Sequence, residues 1–407
     1  MTLPFETLLV VSLLFCGLQL LATWRHLRSP RERPSAGSHT PEATRAPLPP
    51  VSILKPISGL EDRLAANLES FFRLKYPAYE LVFCFQDPSD PALPLVRAHV
   101  QRHPEVDAQI VVGDYRGGLN PKVCNLIPGY QSARHELILI SDANVSVSPR
   151  YLTEAVSHLR DPRVGLVSHV VRGVGGRTLG ADLDNGCLNT FIVGSVSLLY
   201  KLGYSCVIGK SMLIRRRDLE ELDGLESLQD YLAEDYLLAQ RMRAVGRTVV
   251  ISAAPVDRVA VNGGVRAFTR RYIRWNAMRR TIAGPTYALE ILANPTFLAL
   301  VLVGVTLATG GPERPTIVMA AIAVGAKMAL DAGSQLLLGT PLKPRHVFLT
   351  PLRDLLLAYA WAAGFWSRSV TWRGTRVSLG PGSRLSRPSN YRRTAVRGGE
   401  HPPATVS

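Results

Sequence analysis

The chain has 407 residues, of which 47 are Lys or Arg and 32 Asp or Glu, giving a formal net charge of +15 although only 19% of residues are charged. At roughly 150 residues per domain, the length allows one large domain or two ordinary ones. The low charge content, the 46% hydrophobic residues and the basic surplus exclude a disordered chain, a small disulfide scaffold and an acidic soluble enzyme. They point to a folded protein that touches a membrane, a polyanion, or both.

The first apolar run covers residues 4–24 and carries one early acid, Glu6. It has the ~20 residues that a bilayer core requires. No Lys or Arg precedes it, whereas Arg25, Arg28, Arg31 and Arg33 follow. This pattern predicts an uncleaved transmembrane anchor over residues 1–25 with the following chain in the cytoplasm. Residues 26–50, rich in Pro, Ser and Ala from 35 onward, form the expected linker. The five cysteines, at 16, 84, 124, 187 and 206, make no CxxC pair and are odd in number. Reduced thiols fit better than a zinc site or a disulfide framework, and Cys84 and Cys124 suit buried positions.

From residue 51 short β-branched runs alternate with helical ones. Strands are expected at 51–54, 80–85, 108–112 and 136–140. The helices between them should end near 74, run through 103, span 123–134, and begin near 149. This alternation predicts an α/β domain over 51–265 with a mainly parallel sheet flanked by helices. In such sheets ligands bind beyond the carboxyl ends of the strands. Those ends carry Gln86-Asp87-Pro88-Ser89-Asp90-Pro91 and Ser141-Asp142-Ala143-Asn144, and an acid pair follows at Glu234-Asp235. Asp87 and Asp90 also suit turns beside proline, Asp142 a turn cap and Glu234 a helix cap.

Basic groups accompany these acids. Lys55 closes the first strand and Lys122 opens a helix, where an anion is favoured. Gly209-Lys210-Ser211 lies between apolar runs, and the Gly-rich residues 173–180 are expected to form a flexible loop. Residues 266–280 hold six arginines, with Phe268, Tyr272, Trp275, Met278 and Ile282 at helical spacing. They predict an amphipathic helix over 266–283 whose apolar stripe lies in the bilayer interface. A C-terminal membrane region follows over 284–368. Within it, 288–309 and 316–338 are long enough to span, while 347–366, interrupted by Arg353 and Asp354, suits a re-entrant helix or a span. The remaining 369–407 is expected to be a basic disordered tail on anionic lipid: from Arg368 the chain has eight arginines and one acid.

Taken in order, Lys55-Pro56, QDPSDPA (86–92), GLNPKVCNL (118–126), SDAN (141–144), AEDY (233–236) and RRYIRW (270–275) resemble the ceramide glucosyltransferase family, membrane enzymes with a GT-A catalytic domain. The resemblance covers 51–275 and the membrane layout on both sides. The family's three spaced aspartates fall on Asp90, Asp142 and Asp235, and its (Gln/Arg)-x-x-Arg-Trp motif on Arg271, Arg274 and Trp275.

The resemblance implies an inverting hexosyltransferase that uses a UDP-sugar donor and a membrane lipid acceptor. Asp235 would be the general base. Arg271, Arg274 and Trp275 would close over the diphosphate and the acceptor. Lys55, Asp90, Lys122 and Asp142 would line the donor site, with Asp142 holding Mg²⁺ or Mn²⁺. Bacterial relatives glycosylate other lipids, including hopanoid polyols such as bacteriohopanetetrol with N-acetylglucosamine, so the reaction type is better specified than the acceptor. Asn144 departs from the Asp-Ser-Gly of animal ceramide enzymes, which leaves ligation beyond Asp142 open.

A processive polysaccharide synthase would have Gln at the position of Arg271 and more spans. A non-catalytic basic membrane protein would lack acids organised at strand ends. No interleaved basic and aromatic pattern marks a nucleic-acid module.

Overall fold

A computed structural model describes residues 3–29, 48–310, 314–372 and 375–387. Most of the expected linker, and the tail beyond 387, lie outside the described residues. Helix α1 covers Leu3–Arg28 and the α/β fold begins with β1, Val51–Pro56. There follow α2 (Leu64–Phe72), β2 (Tyr79–Phe85), α3 (Leu93–Arg102), β3 (Asp107–Val112), α4 (Pro121–Ser132), β4 (Leu137–Ser141), the short β5 (Val145–Ser146), α5 (Tyr151–His158) and β6 (Val164–Val174). After α6 (Leu179–Cys187) and α7 (Val193–Lys201) come β7 (Ser211–Arg215), α8 (Arg216–Glu220), α9 (Glu234–Ala244) and β8 (Thr248–Val259). Gly173 thus belongs to β6, and only the link between β6 and α6 remains of the expected Gly-rich loop.

These eight strands form one sheet in the order β3-β2-β1-β4-β7-β6-β8-β5. The first four are parallel, with Ile53 paired to both Leu81 and Leu139. β7 runs antiparallel between β4 and β6. The strands alternate at period two between two apolar layers. Val51, Ile53, Leu81, Phe83, Phe85, Leu137 and Leu139 pack with α2, α3 and α5. Leu54, Val82, Cys84, Ile138 and Ile140 pack with α4, α8 and α9. The strand order reverses between β1 and β4, and the crevice at such a switch point is where open α/β sheets bind ligands.

The C-terminal part continues with α10 (Val265–Ala283), the 3₁₀ segment Gly284–Ala293, α11 (Pro295–Thr309), α12 (Arg314–Leu337), α13 (Pro344–Phe348) and α14 (Thr350–Trp366). Helices α1 and α12 are each long and apolar enough to cross a membrane. The expected span 288–309 is not one straight helix: the helical stretch Val265–Ala293 and α11 meet at Asn294 with a bend of 75°. Asn294 caps α11 by accepting from the Phe297 amide, with Pro295 at its first position, a pair that starts a new helix.

The apolar stripe of α10 also differs from expectation. Phe268 and Tyr272 are buried against α6, α14 and the segment 188–192, so protein rather than lipid covers that part of the helix. The tail differs too. Ser369–Trp372, Thr375–Leu379 and Leu385–Ser386 form a three-stranded antiparallel sheet. Val370, Val377 and Leu385 bury against Leu232 and Ala277, an alternation hidden among the arginines.

Candidate active site

The site assembles at the switch point from local signals in each segment. Asn120, Pro121 and Lys122 start α4: the Asn120 side chain accepts from the Lys122 and Val123 amides and Pro121 fills the first helical position. Lys122 is thereby fixed at the helix N-terminus. Its Nζ lies 3.0 Å from both Asp142 Oδ1 and Glu234 Oε1 and donates to the Gly209 carbonyl at 2.8 Å. Burial would strip its proton, but the carboxylates of Asp142, Glu234 and Asp235 reverse that and hold its pKa above the usual lysine value.

Asp142 follows directly from β4. Lys210 Nζ lies 2.6 Å from its Oδ2 and 3.1 Å from Asn144 Oδ1. The Asn144 amide nitrogen donates to Glu61 at 2.8 Å, which leaves the Asn144 oxygen facing the ammonium. Burial acts to raise the Asp142 pKa, yet the flanking ammonium groups of Lys122 and Lys210 hold it well below the usual carboxylate range. Lys55 is fully buried beneath this turn. It donates to the Asp142 carbonyl at 2.8 Å and its Nζ sits 3.6 Å from the centre of the Phe71 ring. Being fully buried, it supports the Asp142 loop from within the fold. Burial lowers its pKa to about 7.

Asp235 opens α9 beside Glu234. Its Oδ2 accepts from the Gly209 amide at 2.6 Å and its Oδ1 from the Tyr236 amide at 2.8 Å. A Cβ on residue 209 would stand 2.9 Å from Asp235 Oδ2 and 3.1 Å from Lys122 Nζ, so this close approach needs glycine. Burial, reinforced by the Glu234 charge, pushes the Asp235 carboxyl up to about 6.

Asp90 occupies a neighbouring loop, where its carboxylate accepts from the Gly59 and Ala92 amides at 2.8 Å. It ties the loop after β1 to the start of α3. The third group is the arginine motif. Arg271 Nη1 and Arg258 Nη1 lie 3.0 and 2.6 Å from Asp184 Oδ2, while the Tyr272 hydroxyl donates to Asp184 Oδ1 at 3.2 Å. Trp275 packs edge-on against Tyr272 with ring centres 5.4 Å apart. Arg258 pairs across the sheet with Val145, just past the Asp142 turn, so α6 and α10 are bolted to the rim of the switch point.

Asp142, Lys122 and Asp235 therefore lie together. Lys210, Arg258, Asp184 and Asn144 join them, although the sequence analysis gave none of these four a role. The one available signal was Gly-Lys-Ser at 209–211, a lysine at the start of an apolar strand. Asp184 sits 6% exposed between Arg258 and Arg271, where loss of its charge leaves a buried guanidinium unpaired. Asp184→Asn is expected to loosen α10, with amide hydrogen exchange in Val265–Ala283 at least ~10-fold faster; unchanged exchange would show that the pairing does not dock the helix.

Among the described residues no group of three or more His, Cys, Asp and Glu side chains is gathered to hold a metal. The oxygens that suit a cation are those of Asp142 and Asn144, and the Lys210 ammonium already stands between them as a built-in cation. A hard divalent ion with oxygen ligands fits that seat.

The family model for glycosyl transferase family 21 matches residues 6–385. The chain belongs to that family. Among its relatives, ceramide glucosyltransferase 1 of Caenorhabditis elegans is 33% identical over 238 residues, 57% of this chain and 50% of that protein. A ceramide glucosyltransferase of Komagataella phaffii is 28% identical over 298 residues, 58% of each. The chain spans about half the length of the curated relatives it matches. The solved mannosyltransferase PcManGT from Pyrobaculum calidifontis, in complex with GDP-Man and Mn²⁺, superposes with a TM-score of 0.51 at 20% identity. The match covers 89% of this chain and 99% of that one. It shows the fold, a mixed, mostly parallel GT-A-like sheet between helices.

Proposed function

We propose that this family 21 protein is a membrane-bound glycosyltransferase that moves one hexose from a UDP-sugar to a lipid hydroxyl with inversion, ceramide being the favoured acceptor. The observation that carries the reading is the convergence of Asp142, Lys122, Lys210 and Asp235 at the sheet's switch point, with Arg258 and Arg271 on its rim. Helices α1 and α12 are spans in this reading, and the arginines after α1 keep the catalytic domain, residues 51–265, in the cytoplasm. Multi-pass anchoring holds α10 and its arginines at the bilayer surface.

The donor's diphosphate carries about two negative charges at neutral pH. Lys122, Lys210, Arg258, Arg271 and Arg274 supply cations for it, and Lys122 and Lys210 exchange carboxylate partners for phosphate oxygens as it enters. The two loops joined by the hydrogen bond from Gly59 to Asp90 border the nucleoside, and Trp275 closes over the diphosphate and acceptor. Asp235, oriented by the Gly209 and Tyr236 amides, takes the proton of the acceptor hydroxyl as its oxygen attacks the anomeric carbon. The new C–O bond forms while the bond to the diphosphate breaks and UDP departs from the opposite face. Mg²⁺ or Mn²⁺ held by Asp142 with Asn144 would supply neutralisation of the charge that develops on the leaving group.

Because Lys210 fills the cation seat, Lys210→Met is expected to tighten Mn²⁺ binding by about tenfold, or ~1.4 kcal/mol. Electron paramagnetic resonance of free Mn²⁺, without nucleotide, reads this. Unchanged binding would put the cation elsewhere.

The reading is tested on purified protein in detergent with Mg²⁺ or Mn²⁺. UDP-glucose and UDP-N-acetylglucosamine are offered against ceramide and a hopanoid polyol, and lipid products are analysed by mass spectrometry. Ceramide plus one hexose is expected. A glycosylated hopanoid would keep the chemistry and change the acceptor, and polymer from donor alone would overturn single transfer.

A further inference from the structure

We infer that the cavity between α10, the 3₁₀ segment Gly284–Ala293, α12 and α14 seats the polar junction of the acceptor lipid, an inference that rests on the transferase reading above. The cavity encloses about 50 Å³, and its lining includes Asn276, Arg279, Glu290, Lys327, Asp354 and Trp361. That volume admits small polar groups such as a hydroxyl or an amide.

Its polar wall is unusual for its place. Lys327 and Asp354 belong to a buried cluster inside the apolar helices, where Lys327 pairs with Asp331 at 2.6 Å and Arg353 pairs with both Asp331 and Asp354. Two of these four charges, Lys327 and Asp354, line the cavity, and charges kept in such surroundings at a cost in stability mark function. The opposite wall offers unmet capacity. Arg279 Nη2 and Glu290 Oε2 approach to 2.5 Å as an ion pair, and Arg279 Nε is buried with no hydrogen-bond partner. A ligand carbonyl would satisfy it.

The position suits an acceptor. Asn276 and Arg279 share α10 with Arg271, Arg274 and Trp275, and Arg279 lies about 7.5 Å along the axis from Arg274. Cys206 belongs to the apolar cluster that holds Tyr272 and Trp275. Its own loop leads three residues later to Gly209, the amide that holds Asp235. On the outer side Leu289 and Trp366 are 62% and 78% exposed, an apolar exit for the chains. A lipid bearing a hydroxyl and an amide would hold its polar junction in the cavity, its tails against that surface, and its reacting hydroxyl toward Asp235.

The test uses the full chain in mixed micelles with a diazirine-bearing ceramide, and a diazirine phosphatidylcholine of matched chains as the comparison. Peptide mapping after illumination is expected to place ceramide label on Gly284–Ala293 and α14, displaced by unlabelled ceramide, while phosphatidylcholine label is not. Ala358→Leu, which fills the cavity, is expected to cut that label at least fivefold. Glu290→Gln, which keeps the shape, is expected to raise the acceptor KM about tenfold with the donor KM unchanged. Equal, undisplaced labelling by both lipids, or an unchanged acceptor KM in both variants, would overturn the inference. Labelling needs no turnover, so displaced ceramide labelling in a chain that transfers no sugar would uphold this inference while defeating the transferase reading.

Discussion

Asp235→Asn is expected to lower kcat by ~10³-fold, within the range found when a positioned general base is removed. The asparagine keeps the shape that the Gly209 and Tyr236 amides require but has no lone pair basic enough to take the acceptor proton. The pH profile separates this from a binding defect. Burial pushes the carboxyl of the free enzyme up to about 6 and it must be ionised to act, so wild-type kcat/KM should rise with pH up to that point and level off above it. In Asp235→Asn that acid limb should vanish.

Stability runs the other way. A carboxyl raised from its ordinary 3.8 binds its proton more tightly in the folded state. Its contribution to stability is therefore present below pH 3.8 and lost as pH rises through about 6. Asp235→Asn should accordingly raise Tm at pH 8 but not at pH 4, by differential scanning fluorimetry. An unchanged kcat, or an acid limb that survives, would remove Asp235 from the role of base.

Asp142→Ala should be the second large loss, for a different physical reason. The carboxylate sits between two ammonium groups at 3.0 and 2.6 Å with the fully buried Lys55 beneath it. Its removal leaves Lys210 without its carboxylate and Lys122 with Glu234 alone. Breaking a buried pair in this way costs ~3–5 kcal/mol, and loss of the charge that holds a cation against the leaving group costs ~10²–10³ in kcat. The two losses are separable. Adding Lys210→Met to Asp142→Ala removes the stranded ammonium and should return most of the lost Tm, because the two side chains touch and their effects do not add. It should return no turnover. A double variant as unstable as the single one would mean that the pair is not what Asp142 contributes to the fold, and an active one would take Asp142 out of the chemistry.

The sheet and half of its site were legible because both obey local rules. Runs such as 80–85 and 136–140 are apolar on both faces, as covered parallel strands must be, and an acid directly after such a run lies at the carboxyl edge. Asn-Pro-Lys at 120–122 announces a helix start with its lysine in place.

Lys210 and Arg258 were not legible, since their roles depend on which strands become neighbours. Lys210 meets Asp142 only because β7 runs antiparallel to β4, with Ser211 opposite Ser141. Arg258 meets the turn only because β8 borders β5. Asp184 was not legible because its partners, Arg258 and Arg271, lie 74 and 87 residues on. The break at Asn294-Pro295 was written in the chain, yet a length count of apolar residues passes over it. The tail strands were obscured for the opposite reason, as charge count outweighed the alternation of Val370, Val377 and Leu385.

Helix α10 presents Arg271 to Asp184, Asn276 and Arg279 to the cavity, and part of its apolar side to α14. These are different azimuths of one rigid rod. Adding a single residue to it would turn everything beyond by about 100° and advance it by about 1.5 Å, so the arginines and the cavity wall would lose their common alignment in one step. Mutation can therefore explore this helix by exchanging side chains but hardly by changing its length. Sequence drift in a family built this way should leave the interval from Arg271 to Arg279 free of insertions while the loops around the sheet vary in size.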